Sequence, residues 1–206
     1  MSKAAVLWTG GKDSCLAYLR AKEGGENVVS LVTFFEEGRE FRAHPREQIR
    51  DQANHLGIPV HFLPVSEPYR AGYGEQIERL RSERGISKLI TGDIDLVDGF
   101  PNWIKECCDT IGLEVGFPLW QEDRRTLLED LFARDLPIEI TWINHPAISK
   151  DWLGKRLTRE FIDHLRELPA LPPIDLCGEN GEYHTMVRFP PRSSDLQVVD
   201  EGPELR

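Results

Sequence analysis

The chain has 206 residues, of which 40% are apolar, enough to bury one substantial core or a main domain with a small appendage. Its 35 acidic residues against 25 basic ones give a net charge of −10, which argues against the broad basic face that nucleic acid requires. No run approaches the roughly 18 uninterrupted apolar residues of a membrane span and the N-terminus lacks a signal-peptide core, so a cytoplasmic location without membrane contact is expected.

The first apolar run, Ala4-Ala5-Val6-Leu7, reads as a strand, and Cys15-Leu16-Ala17-Tyr18-Leu19 reads as a helix. Between them lies Trp8-Thr9-Gly10-Gly11-Lys12-Asp13-Ser14, the arrangement of a phosphate cradle. Without side chains at Gly10 and Gly11 the backbone can approach an anion, and the free N–H groups of the following helix favour negative charge. The Walker pattern needs a glycine where Val6 stands and a hydroxyl where Asp13 stands, so it fails twice. The dinucleotide fingerprint fails because no third glycine closes the turn.

Downstream, one grammar repeats three times: an amphipathic helix ends at a glycine and a short strand follows, at Leu56-Gly57-Ile58, Arg84-Gly85-Ile86 and Ile111-Gly112-Leu113. Pro45 and Pro101 sit where a first helical position would tolerate them. Strands are expected near 4–8, 27–35, 60–64, 88–91 and 114–117, alternating with helices. That alternation predicts an α/β fold: a doubly wound, mostly parallel sheet with helices on both faces. From about Gln121 the grammar loosens into a helix at 126–133, a strand at 138–143, a helix at 153–168 and a Pro-rich link at 169–173. These divide the chain into a larger domain at 1–120, a smaller α+β region at 121–190 and a flexible tail at 191–206.

The four cysteines, Cys15, Cys107, Cys108 and Cys177, form no C-x-x-C pair, so they lack the usual spacing for zinc or an iron–sulfur cluster. Cys107 and Cys108 fall on the apolar stripe Trp103, Ile104, Ile111 and read as small core residues. In an open parallel sheet the ligand sits beyond the C-terminal strand ends. Besides the glycine turn, those ends are Phe34-Phe35-Glu36, Pro64-Val65-Ser66 and Thr91-Gly92-Asp93. Gly92-Asp93 reads either as a nucleotide and magnesium site or as a turn whose Asp caps the next helix.

A second dense segment runs Cys177-Gly178-Glu179-Asn180-Gly181-Glu182-Tyr183-His184-Thr185, ahead of the strand-like Met186-Val187-Arg188-Phe189. It reads as a Gly-Asn hairpin turn or as chemistry: Glu179 and Glu182 suit a metal or an ammonium, and His184 suits a general base.

Both segments carry a resemblance. Thr9-Gly10-Gly11-Lys12-Asp13-Ser14 resembles the S-G-G-x-D-S loop of PP-loop ATP pyrophosphatases, and the second segment resembles the C-G-E-G/N-G-E-Y/F-E/H-T signature of the diphthine-ammonia ligase family. Ala43-His44, Gln52-Ala53, Leu56-Gly57-Ile58-Pro59 and Gly116-Phe117-Pro118-Leu119-Trp120 agree with that family. The resemblance implies a PP-loop, HUP-like and Rossmann-like domain followed by a smaller domain bearing the second signature. It implies ATP with magnesium, ammonia and a carboxylate as substrates, and an AMP- and pyrophosphate-forming amide ligase. Thr9, Gly10, Gly11, Lys12, Asp13, Ser14 and Gly92 are then expected at the nucleotide, and Asp13 and Asp93 at magnesium. Ser14, Asp93, Glu179, Glu182 and His184 are expected in catalysis, and Gly178, Asn180, Gly181, Tyr183 and Thr185 at the substrate. Members that make diphthamide carry a Y-Q-R segment after the fourth strand, where this chain has the acidic run from Gly92 to Trp103. The departure concerns the acid substrate and leaves the ATP loop untouched. Two other readings remain: a nucleotide-binding regulatory module without catalysis, and a PP-loop tRNA sulfur transferase. A homodimer is compatible with the sequence.

Overall fold

The computed structural model describes residues 2–36, 38, 43–96 and 103–190. In chain order the elements are β1 (Ala4–Leu7), α1 (Lys12–Glu23), β2 (Val28–Glu36), α2 (Arg46–Leu56), β3 (Val60–Val65), α3 (Tyr69–Arg84), β4 (Lys88–Ile90), α4 (Trp103–Ile111) and β5 (Glu114–Gly116). There follow α5 (Arg124–Ala133), β6 (Ile138–Ile143), a 3-10 turn (Lys150–Trp152), α6 (Arg159–Glu167) and β7 (Tyr183–Val187).

The five strands β1 to β5 pair in parallel in the order β3-β2-β1-β4-β5, as the alternating grammar predicts. The strand order reverses at β1, so the switch point lies between the C-terminal ends of β1 and β4. Strand β1 is apolar throughout because both its faces are covered: Ala4 and Val6 join the cluster containing Leu16, Ile49 and Ala53, while Ala5 and Leu7 join that of Ile77, Leu80 and Cys108. The helix stops at Gly57, Gly85 and Gly112 have φ of 68°, 67° and 70°, the left-handed geometry that a glycine stop requires.

The smaller region pairs β6 antiparallel with β7. Three local expectations change. The helix foreseen over 153–168 starts at Arg159, because the preceding backbone pairs with β6 instead: Ile140 N donates to Lys155 O at 2.9 Å and Leu157 N to Ile138 O at 2.8 Å. Trp152, Leu157 and Phe161 have helical spacing, but Gly154 at φ 77° breaks the turn and Thr158 caps the real helix start. The last strand begins at Tyr183, so His184 and Thr185 lie in a strand and the segment before them is no hairpin, since its partner is β6. Pro45 occupies the cap position ahead of α2 rather than its first turn. Pro101 and the tail expected at 191–206 lie outside the described residues.

The apolar cluster around β1 runs across residue 120, joining Leu16 and Ile90 to Leu128, Ile140, Phe161 and Tyr183. Among the described residues no helix is long and apolar enough to cross a membrane.

Candidate active site

Strand β1 ends against β2, with Trp8 N donating to Val32 O at 2.7 Å, and the chain then turns at Gly10, φ 79°. A Cβ at Gly10 would lie 2.4 Å from Gln52 Oε1 and 2.7 Å from Met186 Sδ, so both conformation and space demand glycine there. Helix α1 opens at Lys12, whose N–H donates to Thr185 Oγ1 at 3.2 Å. The amides of Asp13 and Ser14 stand in the first turn of α1, where N–H groups have no partner within the helix and are free to face an anion. Ser14 Oγ donates to Gly11 O at 3.1 Å and lies 3.4 Å from Thr9 Oγ1. Gly92, following β4, rests on this turn so closely that a Cβ would meet Asp13 C at 2.7 Å and Ser14 N at 2.8 Å.

Lys12 departs from the nucleotide contact expected of it. Its side chain is buried and runs under the C-terminal motif, donating to Asp13 Oδ2 at 2.7 Å and to Cys177 O, with the ammonium 5.7 Å from the Tyr183 ring centre. Burial is the largest influence and would lower its pKa, but the charge and hydrogen bond of Asp13 together with Tyr183 and Cys177 outweigh it, and the pKa is raised.

The C-terminal motif divides into residues that build it and residues that face a cavity. Glu182, foreseen as a metal or ammonium ligand, is buried: Oε1 accepts from Asp175 N at 2.9 Å and Asn180 Nδ2 at 3.1 Å, and Oε2 accepts from Asn180 N at 3.0 Å. Both oxygens therefore brace the loop. Tyr183 OH donates to Leu176 O at 2.7 Å, and Gly178 sits where a Cβ would meet Tyr183 O at 2.9 Å. Gly181 N donates to Gly178 O at 3.0 Å. Gly178, Asn180, Gly181 and Tyr183, expected at the substrate, thus shape the loop, and Thr185 holds the start of α1.

Glu179 differs. It lines a cavity of about 340 Å³ together with Thr9, Asp13, Ser14, Gly92 and Asp93, at the C-terminal ends of β1, β2 and β4 where the strand order switches. Burial, then the charges of Asp13 and Asp175, push its carboxyl up to about 7 against the pull of Lys12 and Arg124. Val32, Phe34, Tyr73 and Ile104 supply the apolar wall. His44 also lines the cavity, and His184 packs edge-on against it with ring centres 5.5 Å apart. Burial, then His184, pulls His44 down to about 4, and burial with the charge of Lys12 lowers His184, so both rings are neutral at pH 7.

Asp93 lies in the cavity wall, and Ile94, Asp95 and Leu96 after it are not helical, so among the described residues it caps no helix. Among the described residues no three His, Cys, Asp or Glu side chains gather as a metal cage. Asp13 and Asp93 in one wall fit magnesium as it is usually held, by one or two carboxylates with substrate phosphates completing the shell.

Sequence reading passed over Thr33, Tyr73 and the individual roles of His44 and Gln52. Thr33 Oγ1 donates to Trp8 O at 2.6 Å and faces the cavity. The signal for Thr33 was its place at a strand end; for Tyr73, inside a helix, there was none.

The sheet and the turn at its switch point define a doubly wound α/β protein whose first helix starts at the carboxyl end of the sheet. Residues 2–115 match the family model described as diphthamide synthase N-terminal domain, and residues 123–198 match the diphthamide synthase C-terminal domain. The chain belongs to the diphthamide synthase family. It is similar to proteins named diphthine–ammonia ligase: that of Mus musculus is 24% identical, with 97% of this chain and 84% of the relative covered, and that of Danio rerio is 24% identical, with 94% and 85% covered. Among solved structures, a predicted subunit of tRNA methyltransferase from Methanocaldococcus jannaschii aligns with a TM-score of 0.46 and 18% identity, covering 81% of this chain and 88% of that one.

Proposed function

We propose that this chain is an ATP-dependent amide ligase that transfers AMP to a carboxylate and then displaces the AMP with ammonia. The observation that carries the reading is the convergence of the two motifs: Glu179 lines the same cavity as Thr9, Asp13, Ser14, Gly92 and Asp93. A nucleotide sensor has no need of a carboxyl held near pH 7 beside its phosphate turn.

A carboxylate oxygen is too poor a leaving group to be replaced by nitrogen directly. In the first step a substrate carboxylate oxygen attacks the α-phosphorus of ATP and the bond to the β-phosphate oxygen breaks. The amides of Asp13 and Ser14, the Ser14 hydroxyl and the positive end of α1 take up the charge on the departing pyrophosphate. Asp13 and Asp93 would hold magnesium, which supplies neutralising charge to the phosphates. In the second step ammonia attacks the acyl carbon, the bond to the phosphate oxygen breaks, and AMP leaves with the electron pair. The proton shed by the nitrogen passes to the Glu179 carboxylate, whose pKa of about 7 suits it to accept near neutral pH.

The sulfur-transfer reading finds no support in the thiols. All four cysteines are buried, and burial pushes Cys15, Cys108 and Cys177 up to about 12, away from the thiolate that sulfur chemistry uses.

Carboxylate-dependent exchange of labelled pyrophosphate into ATP tests the first step, and formation of ADP and phosphate instead would overturn it. Glu179→Gln should keep the exchange and lose ammonia-dependent amide formation by about 10²- to 10⁴-fold. A sensor would bind nucleotide, release no AMP and be indifferent to that substitution.

A further inference from the structure

Gln52 is a long polar side chain only 3% exposed, set on the inner face of α2 between the core residues Ile49 and Ala53. Its amide is fully engaged. Oε1 accepts from Trp8 Nε1 at 2.8 Å, while Nε2 donates to Gly10 O at 2.9 Å and to Val187 O at 2.7 Å and rests 3.0 Å from Met186 Sδ. One side chain therefore ties together the end of β1, the glycine turn and β7, which are far apart in sequence.

The Gly10 carbonyl also accepts from Val187 N at 2.9 Å, so two donors from different elements fix its direction. A trans peptide holds its C=O and N–H on opposite sides. Pinning Gly10 O towards α2 and β7 therefore turns Gly11 N–H the other way, to Thr9 Oγ1 at 3.4 Å, and Thr9 itself lines the cavity. At φ 79° a glycine has other wells to visit, and the clamp selects this one.

We infer that Gln52 is a positioning residue: it holds the Gly10–Gly11 peptide in the orientation that presents donors to the pyrophosphate of the nucleotide, without touching the nucleotide. The inference rests on the reading of the turn as a pyrophosphate cradle. No other side chain of this length combines two donors with an acceptor in one plane. Methionine keeps the length and packing and removes both donors, and glutamate sets a negative charge against two carbonyl oxygens.

The test is calorimetric titration of the full chain with magnesium–ATP and with magnesium–pyrophosphate, for wild type, Gln52→Met and Ala53→Gly. The last destabilises the same helix without reaching the turn and serves as the stability control. Gln52→Met should bind both ligands about ten- to a hundredfold more weakly, and the Gly11 amide resonance should move. Binding within threefold of wild type, or an equal loss in Ala53→Gly, would overturn the clamp. Gln52→Glu serves if the methionine variant does not fold: its protonated carboxyl restores one donor, so its affinity should improve from about pH 8 to about pH 6. A pH profile parallel to that of wild type would count against the clamp. Wild type that binds neither ligand would overturn the cradle reading and the clamp's purpose with it, whereas wild-type binding with an indifferent Gln52→Met would overturn the clamp alone.

Discussion

Glu179 is held at a protonation state that favours chemistry over stability. Its folded pKa of about 7 lies above the ordinary carboxyl value of 4.5, so the folded chain binds more protons than the unfolded one between those limits. Stability from this group is therefore full below pH 4.5 and is lost as pH rises through 7. The loss is on the order of 3 kcal/mol at pH 8, and Glu179→Gln should recover it there while leaving stability near pH 4 unchanged. Thermal melts of both proteins at the two pH values check this, and an equal gain at both would show that packing, not ionisation, is responsible. His44 works in the opposite sense. Its folded pKa of about 4 lies below the ordinary 6.5, so the unfolded chain binds the extra proton and stability falls as pH drops from 6.5 towards 4. His44→Gln should flatten the acid limb of the melting profile, because no imidazole is left to charge on unfolding. An unchanged acid limb would assign it to other groups.

At the scale of elements, the C-terminal loop is a scaffold for one reactive carboxyl. Glu179 and Glu182 are chemically alike and three residues apart, yet one faces the cavity and the other is enclosed by Asp175 N, Asn180 N and Asn180 Nδ2. Glu182→Gln places an amide where two acceptor oxygens are needed and should cost about 1–3 kcal/mol. Its activity should fall in step with the fraction unfolded, unlike that of Glu179→Gln, and activity measured well below the melting temperature separates the two. Sequence alone made the pair equivalent, because spacing identifies a carboxylate but not the direction in which a loop turns it. The sheet was legible for the opposite reason: β1 to β5 are short apolar runs fenced by glycine stops, and each signal is local. Where a pairing partner was remote, local signal misled. Residues 153–157 have helical apolar spacing but bond to β6, and Lys12, which sits at a helix start, is claimed by Cys177 O across the fold.

At the scale of the molecule, the anion turn is finished by residues from the far end of the chain. Thr185 receives the Lys12 N–H, Val187 N–H reaches Gly10 O, and the cluster that covers β1 includes Phe161 and Tyr183 beside Leu16. Ion pairs close the same seam: Arg20 meets Glu122 at 2.6 Å and Asp130 at 2.9 Å, and Arg134 joins Asp130 at 2.8 Å and Glu23 at 2.6 Å. Arg20, Asp130 and Arg134 are half-buried and linked in one network, and the apolar core that spans the same seam ties the two regions together as well. Phe161 is fully buried there, stacked edge-on with Tyr183 at 5.1 Å and with Trp152 at 5.1 Å. Phe161→Ala should cost about 3–5 kcal/mol by the cavity it leaves. If the two regions fold as one unit, the whole calorimetric transition moves down together, with calorimetric and van't Hoff enthalpies still equal, and protection of the Cys15 and Leu16 amides in α1 falls by the same free energy as that of β7. Separate folding would instead split the transition, lowering the part that contains α6 and β7 while α1 kept its protection. The first result means that nucleotide bound at the turn stabilises the C-terminal motif as well, because both belong to one cooperative structure.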